Sequence, residues 1–275
     1  VTAFSHIACW KAGLISVPTS TLFGVDGLEY RLNNTGASTL ITDSINLPKA
    51  LEAQRAASAL KHIFVIDGPA IDGALPLMKT IERASSEFKT LALTPDTPAF
   101  INYTSGTTGT PKAVMHSHNT LARVIQNSLD YWQMDERDVM LMPSPVTHIT
   151  GYGSGMVLPF VTSVKSALMP RWDADAAVAF INEVGATASV GATPFLVELV
   201  AAAKRHNTGL PTMRLFACGG AAVPPQVIDE ACEGLDNCRA FRVYGSTETP
   251  IITLGFVGDG QPKTGAETDG MIYYY

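Results

Sequence analysis

An α/β fold of doubly wound, mainly parallel sheets with helices packed between and around them is the class the sequence predicts, on three observations. Short β-rich runs alternate with helical runs along the chain. The helical runs carry recognisable start and stop residues. Apolar residues make up 46% of the 275 positions and charged residues 16%, enough to fill a core and unlike a disordered, collagen-like or coiled-coil chain.

The chain opens in an apolar, helix-like run, Ala3–Ala12. Leu14–Val17, Val25–Asn34 closing at Gly36, Ser38–Ile41, Pro48–Ala57 and Ile63–Ile66 then follow in β-α-β-α-β order. Gly68-Pro69 and Asp72-Gly73 punctuate a looser stretch, and Thr94-Pro95-Asp96-Thr97-Pro98 separates it from the rest. A first α/β subdomain over residues 1–95 and a second over 96–275 are therefore expected. In the second, strand candidates Ala99–Tyr103 and Ala113–Met115 flank a loop rich in glycine and threonine. Leu121, Val124, Ile125, Ser128 and Trp132 share one helical face, with Ser117 or Asn119 as cap. Strand candidates Val139–Met142, Ser166–Met169, Thr187–Val190, Leu215–Cys218 and Phe241–Tyr244 come next. Three helices separate the later ones: Asp173 to Gly185, Thr193-Pro194 to His206, and Pro224-Pro225 to Gly234. In such an order, ligands are expected beyond the carboxyl ends of the strands.

Lys and Arg number 19 against 25 Asp and Glu, a net charge of −6. That is the wrong sign for a general nucleic-acid or anionic-membrane binder, so any anionic ligand must be held locally. Cys9, Cys218, Cys232 and Cys238 show no CxxC spacing; reduced, mostly buried thiols in a cytoplasmic protein are expected, not zinc or a disulfide framework. The apolar stretches Gly151–Pro170 and Ala186–Ala203 are broken by glycine, proline or charge and read as core, with no membrane span. Val1 in place of methionine and the closing Tyr273-Tyr274-Tyr275 read as arbitrary ends, with the true N-terminus expected upstream.

Tyr103-Thr104-Ser105-Gly106-Thr107-Thr108-Gly109-Thr110-Pro111-Lys112-Ala113-Val114 is the most informative stretch. Its glycines free the backbone to curl, its hydroxyls supply donors and its lysine a point charge, a set suited to wrapping polyphosphate oxygens. A Walker P-loop fails at two positions: Pro111 stands where the second glycine belongs, and Ala113 where a magnesium-binding hydroxyl belongs. The flanks disagree as well, because a β-like run follows instead of a helix.

The string closely resembles the signature of the adenylate-forming superfamily of acyl-CoA synthetases, luciferases and peptide-synthetase adenylation domains. Val243-Tyr244-Gly245-Ser246-Thr247-Glu248-Thr249 resembles the family's second signature, Pro143 through His148 to Gly151 its carboxylate-pocket segment, and Cys218-Gly219-Gly220-Ala221 its adenine-contacting turn. Gly260-Gln261-Pro262 with Gly265 and Glu267 is similar to the next block, and Ala8–Pro18 extends the likeness towards the start. Met142-Pro143-Ser144-Pro145 with His148, and Gly191 through Leu196, look most like acid–CoA ligases of the cyclohexanecarboxylate or short- and medium-chain branch.

The resemblance implies two steps: a carboxylate attacks the α-phosphorus of ATP to give acyl-adenylate and pyrophosphate, and the thiol of coenzyme A displaces AMP. It implies that Thr104, Ser105, Gly106, Thr107, Thr108, Gly109 and Lys112 hold the nucleotide phosphates. Thr247 would touch the α-phosphate and Glu248 would ligate Mg2+. Lys112, Thr247 and Glu248 are thereby the catalytic candidates. Gly219, Gly220, Ala221, Tyr244 and Gly245 are implied at the adenine, and His148, Ile149, Gly151, Ala192, Phe195 and Pro250 at the acyl pocket. His116 and His118 read as structural, and His6, His62 and His206 as surface or helix-end residues. The expected partners are a small carboxylic acid, ATP and coenzyme A, with a homodimer left open. After Glu267 the sequence shows no Thr-Gly-Asp and no arginine block. The resemblance therefore implies most of a large N-terminal domain without its C-terminal lid, binding nucleotide but catalysing poorly by itself. Two other readings stand beside it. One is a non-catalytic nucleotide- or acyl-binding module. The other is an amino-acid adenylation domain feeding a carrier protein, which would call for an acidic pocket residue that Pro143–Gly155 lacks.

Overall fold

The computed structural model describes residues 1–71, 73–106, 109–255, 266, 268 and 269. Two compact units divide the chain: Val1–Ala12 with Pro18–Ala92, and Gly13–Val17 with Leu93–Tyr275.

The first unit contains α1 (Thr2–Lys11), α2 (Val25–Thr35), β1 (Thr39–Thr42), α3 (Leu47–Gln54), β2 (His62–Val65), β3 (Leu75–Pro76) and α4 (Leu77–Glu82). Its three strands pair in parallel in the order β1-β2-β3. Leu28 and Leu32 of α2, Ala50 and Ala53 of α3, and Ile63 and Val65 of β2 make its core. The segment read as loose thus contributes β3 and α4. Neither carries a period long enough to see in sequence.

The second unit begins its regular structure with a hairpin, β4 (Pro98–Thr104) and β5 (Lys112–Ser117), paired antiparallel so that Thr104 stands opposite Lys112. Residues 105–111 connect them. No helix follows the loop directly, as the failed Walker pattern required. Leu14–Val17 is reduced to a tie: Ser16 bridges Phe100 through Ser16 N–H to the Ala99 carbonyl and Ile101 N–H to the Ser16 carbonyl. Pro18 has no N–H with which to extend such pairing.

Then come α5 (His118–Tyr131), β6 (Val139–Met142), a π-helical turn at Gly151–Val157, α6 (Leu158–Val161), β7 (Lys165–Leu168), α7 (Ala174–Val184), β8 (Ala188–Gly191), α8 (Thr193–Arg205), β9 (Leu215–Cys218), α9 (Pro225–Gly234) and β10 (Arg239–Arg242). Ser117 caps α5 in a reciprocal box with Thr120, and Asp173 caps α7 through the Ala176 N–H at 2.9 Å. The buried face of α5 is the predicted one, Leu121, Val124, Ile125 and Ser128, with Trp132 following. β10 ends two residues before the expected limit because the Tyr244 carbonyl turns to accept Ile252 N–H and Thr253 N–H. The π-helical turn lies in a run read only as apolar core. Its glycines carry no side chains to announce a helix by period.

The five later strands form one all-parallel sheet in the order β10-β9-β8-β6-β7. From β6 the chain steps outward to β7, then crosses back to β8 and continues to β10. Leu141 points into the core made with α7, α8 and α9, where Ile181, Leu196, Leu199 and Ile228 are fully buried. Its neighbour Met142 points the other way, against Gly155 of the π-helical turn. The sheet is thus covered on both faces, as the doubly wound expectation required. At its amino edge, Asp138 accepts from Arg214 Nε at 2.8 Å and Nη2 at 2.7 Å, and from the Thr187 hydroxyl at 2.7 Å. One carboxylate thereby ties together the entries to β6, β8 and β9.

All four cysteines are free. Burial pushes the Cys218 thiol up to about 11. Among the described residues, no helix is long and apolar enough to cross a membrane.

Burial pushes the Asp138 carboxyl up, but the Arg214 and Thr187 hydrogen bonds outweigh it, so its pKa lies below the ordinary carboxylate value. Its contribution to stability is therefore complete above the ordinary carboxylate pKa of about 4 and is lost as pH falls through the folded value. Asp138→Ala should cost about 2–3 kcal/mol at pH 7, since Arg214 remains 35% exposed. Urea unfolding checks this: the gap to the parent chain should narrow below about pH 4, and a gap that widens in acid contradicts it.

Candidate functional site

Parallel strands put every carboxyl end on one edge. Along it the register sets Gly191 opposite Cys218 and Cys218 opposite Arg242. The predicted segments leave from these ends: Pro143–Gly151 after β6, Ala192–Phe195 after β8, Gly219–Ala221 after β9, and Tyr244–Glu248 after β10. The chain leaves β6 towards one side of the sheet and β8 towards the other, and such a switch point is where doubly wound sheets take ligands. A side chain on Gly191 would come within 2.9 Å of Phe195 and 3.2 Å of Pro143, which brings the two flanking segments together there.

The hairpin loop joins the same region. A Cβ on Gly106, whose φ is +68, would lie 2.1 Å from the Thr110 carbonyl oxygen, so the loop closes on itself only with glycine there. Lys112 is exposed at the mouth of the hairpin beside Thr104 and Ser105. Thr107 and Thr108 lie outside the described residues, as do Gly260, Gln261, Pro262, Gly265 and Glu267 of the later block.

On one face of the hairpin, two buried polar side chains reach the loops behind it. Asn102 Nδ2 donates to the Thr147 carbonyl at 3.2 Å, and His116 Nε2 lies 2.7 Å from the Thr247 carbonyl. Both residues are under 5% exposed. The hairpin is therefore tied to the segment after β6 and to the segment after β10. Its Phe100 ring stacks on Tyr152 at 3.7 Å between centroids, and the Tyr152 hydroxyl lies 3.2 Å from that of Ser16.

The Tyr244–Glu248 segment folds as a compact turn. Ser246 N–H donates to the Thr249 carbonyl, the Ser246 hydroxyl accepts Thr249 N–H, and Tyr244 N–H donates to the Thr253 hydroxyl. A Cβ on Gly245 would lie 2.1 Å from the Pro250 carbonyl oxygen, so this turn also requires glycine. Tyr244 presents an exposed ring and Glu248 an exposed carboxylate. The backbone amide of Glu248 and the Ser246 hydroxyl hold that carboxyl below its ordinary pKa, with nearby positive charge, Lys112 included, adding to the effect. An ionised, accessible carboxylate is a suitable donor for a hard cation. Among the described residues no group of three or more His, Cys, Asp or Glu could hold a metal ion. A single accessible carboxylate such as Glu248 fits Mg2+, which commonly takes one or two carboxylates and completes its shell with water and substrate phosphate.

Gly219 is buried and Gly220 and Ala221 are exposed, with the adjoining loop held by the Thr193 hydroxyl donating to the Ala222 carbonyl at 2.9 Å. Of the acyl-pocket candidates, Ile149 and Gly151 are buried at the entry to the π-helical turn, while Ala192, Phe195 and Pro250 are half-buried. Phe195 packs edge-on against Trp172, 5.1 Å between centroids, on the α8 side of the switch point. His148 is exposed. Its Nδ1 accepts Thr150 N–H at 3.2 Å, which leaves the proton of the neutral ring on Nε2. The residue stays open to solvent, and partial loss of water around its ring lowers its pKa from the ordinary histidine value.

Asn102, His116, Tyr152 and Trp172 have no place among the sequence-derived candidates. The pairing of His116 with Thr247 joins positions 131 residues apart in the chain, and no local pattern encodes it.

A family model described as AMP-binding enzyme matches residues 2–272. The chain is 30% identical over 251 residues to a medium-chain fatty-acid–CoA ligase of Escherichia coli (strain K12), covering 89% of this chain and 44% of that one. It is 28% identical over 263 residues to an indoleacetate–CoA ligase of Aromatoleum aromaticum, covering 94% and 50%. The crystal structure of ATP-bound MatB from Rhodopseudomonas palustris matches with a TM-score of 0.79 at 25% identity, over 92% of this chain and 48% of that one. The chain spans about half the length of the curated relatives it matches.

The Nδ1 contact and the partial desolvation of His148 make a direct expectation. Nitrogen-detected NMR should find the Nε2–H tautomer and a titration midpoint below the ordinary histidine value of about 6.5. A midpoint at or above that value, or the Nδ1–H form, contradicts the geometry.

Proposed function

Because the chain belongs to the AMP-binding enzyme family, we propose that the protein carrying it is an ATP-dependent acid–CoA ligase. The observation that carries this reading is the meeting, at one edge of a parallel sheet, of a hydroxyl-rich hairpin loop with Lys112, the Tyr244–Glu248 turn, and the switch point between β6 and β8. Fatty-acid– and indoleacetate–CoA ligases among its relatives and an ATP-bound structural neighbour support it.

In this reading the substrate carboxylate enters at the switch point beside His148, Ile149 and Gly151, with Ala192, Phe195 and Pro250 shaping the acyl side. One carboxylate oxygen forms a bond to the α-phosphorus of ATP as the bond to the bridging oxygen breaks, releasing pyrophosphate and leaving acyl-adenylate. The barrier is largely one of charge on the departing oxygens. Ser105, Thr107, Thr108 and the Gly106 and Gly109 amides donate to the β- and γ-phosphates, and Lys112 neutralises them at close range. Thr104 supports the first turn of the loop. Thr247 donates to the α-phosphate. Glu248 would hold Mg2+, which would screen the pyrophosphate charge. Tyr244 lies along the adenine, and Gly219, Gly220, Ala221 and Gly245 give the base and ribose room at the backbone. The thiolate of coenzyme A then attacks the acyl carbonyl and AMP leaves with the electron pair of the broken mixed-anhydride bond.

With Nδ1 accepting Thr150 N–H, the neutral His148 ring carries its proton on Nε2 and would offer that donor to the carboxylate. The flanking surfaces are apolar, and an apolar monocarboxylic acid is the substrate class they suit.

Pyrophosphate release with ATP, Mg2+ and a panel of aliphatic, alicyclic and aromatic acids tests this in the full-length protein. ATP-dependent release with at least one acid is expected, and none with any acid contradicts the reading. Lys112→Ala should lower kcat/KM for ATP by about 100-fold, the scale for losing one preorganised electrostatic contact. Glu248→Gln should raise the Mg2+ concentration needed for half-maximal rate. Unchanged kinetics in both variants would remove the phosphate and metal roles from these residues.

A further inference from the structure

The hairpin presents Phe100, Asn102, Val114 and His116 on one face, since Phe100 pairs with His116 and Asn102 with Val114. His116 is buried at 3% exposure, and its Nε2 lies 2.7 Å from the Thr247 carbonyl. A carbonyl only accepts, so Nε2 carries the proton and Nδ1 faces the Thr120 hydroxyl at 3.4 Å. The ring lies against Phe100, 6.0 Å between centroids and 27° from parallel. Thr120 is itself fixed by the reciprocal cap with Ser117 that starts α5. The imidazole is therefore held from the hairpin, the helix and the aromatic face, and its one strong donor is spent on the backbone between Ser246 and Glu248.

We propose that His116 is a positioning residue: through the Thr247 carbonyl it sets the Thr247–Glu248 segment against the base of the phosphate-loop hairpin, so that the Thr247 hydroxyl, the Glu248 carboxylate and Lys112 address one Mg2+–triphosphate unit. The inference rests on the nucleotide reading proposed above and adds to it a residue that would touch neither nucleotide nor metal. A 2.7 Å bond from a ring only 3% exposed fixes the Thr247 carbonyl in place, and that restraint is lost when the ring is removed. Its loss should move Thr247 and Glu248 relative to the hairpin while leaving the adenine side in place, because Tyr244 is held separately through Thr253 and Gly219–Ala221 leave from another strand.

Calorimetric titration of the chain with ATP, with and without Mg2+, and with AMP tests this without turnover. In the parent chain Mg2+ should strengthen ATP binding. His116→Leu should remove about tenfold of that gain, the scale of one buried hydrogen bond, while AMP affinity stays within about threefold. His116→Gln reaches the same carbonyl with an amide donor and should restore most of the gain. Should His116→Leu not fold by circular dichroism, His116→Asn replaces it, because its amide ends too close to the backbone to reach Thr247. The proposal is overturned if the leucine or asparagine variant keeps the Mg2+ gain, if ATP and AMP affinities fall together, or if glutamine is as impaired as leucine. A parent chain that binds no ATP at all overturns the nucleotide reading itself, which the variants then have no part in deciding.

Discussion

The carboxyl ends of five parallel strands share one edge, and the order in which the chain visits them reverses at β6. Everything gathered at the candidate site depends on that constraint. Stepping out to β7 and back across to β8 sends the chain in opposite directions from β6 and β8, which makes their ends the switch point of the sheet. Gly191, Cys218 and Arg242 stand level, so segments from residues 143 to 248 begin from one line. The antiparallel hairpin is the exception to the parallel rule. It brings the phosphate-loop candidate to that line from outside the five-stranded sheet, held by Asn102 and His116.

The two edges of the sheet are built differently. At the amino edge, the buried Asp138 gathers Arg214 and Thr187, and Arg214 donates further to the Trp132 and Gln133 carbonyls. At the carboxyl edge the polar side chains are left accessible: Lys112, Glu248 and His148 are exposed, and the bonds that shape the loops come mostly from backbone, serine and threonine. Paired charges thus sit at the amino edge, and accessible charges at the edge where a ligand is proposed. The net charge of −6 fits this arrangement, since a polyanion would be met by one lysine and a loop of amides and hydroxyls instead of a broad basic field.

Much of this was legible in the sequence because it is locally encoded. Asp173 to Gly185, Thr193-Pro194 to His206 and Pro224-Pro225 to Gly234 delimit helices by caps and breakers, and the structure follows all three. The amphipathic face of α5 and the strand–loop–strand setting of Gly106 are equally local. The π-helical turn at Gly151–Val157 escaped, because a wide turn of small residues has no period to read and depends on Met142 packing against Gly155. The early end of β10 escaped because Thr253, nine residues on, draws Tyr244 out of the sheet. At the site, the loops could be named from their residue types, but the ties that hold them could not. His116 read as structural, and only the fold places its ring against Thr247.

Four chain segments far apart in sequence are proposed to form one nucleotide site at the carboxyl edge. Hydrogen–deuterium exchange of the chain with and without Mg2+–ATP tests this most directly. Amides in residues 103–113, 217–222 and 243–249 should gain protection together, those in 143–151 less so, and those at the amino edge around Asp138 and Arg214 not at all. Protection confined to a single segment, or found at the amino edge instead, would contradict it.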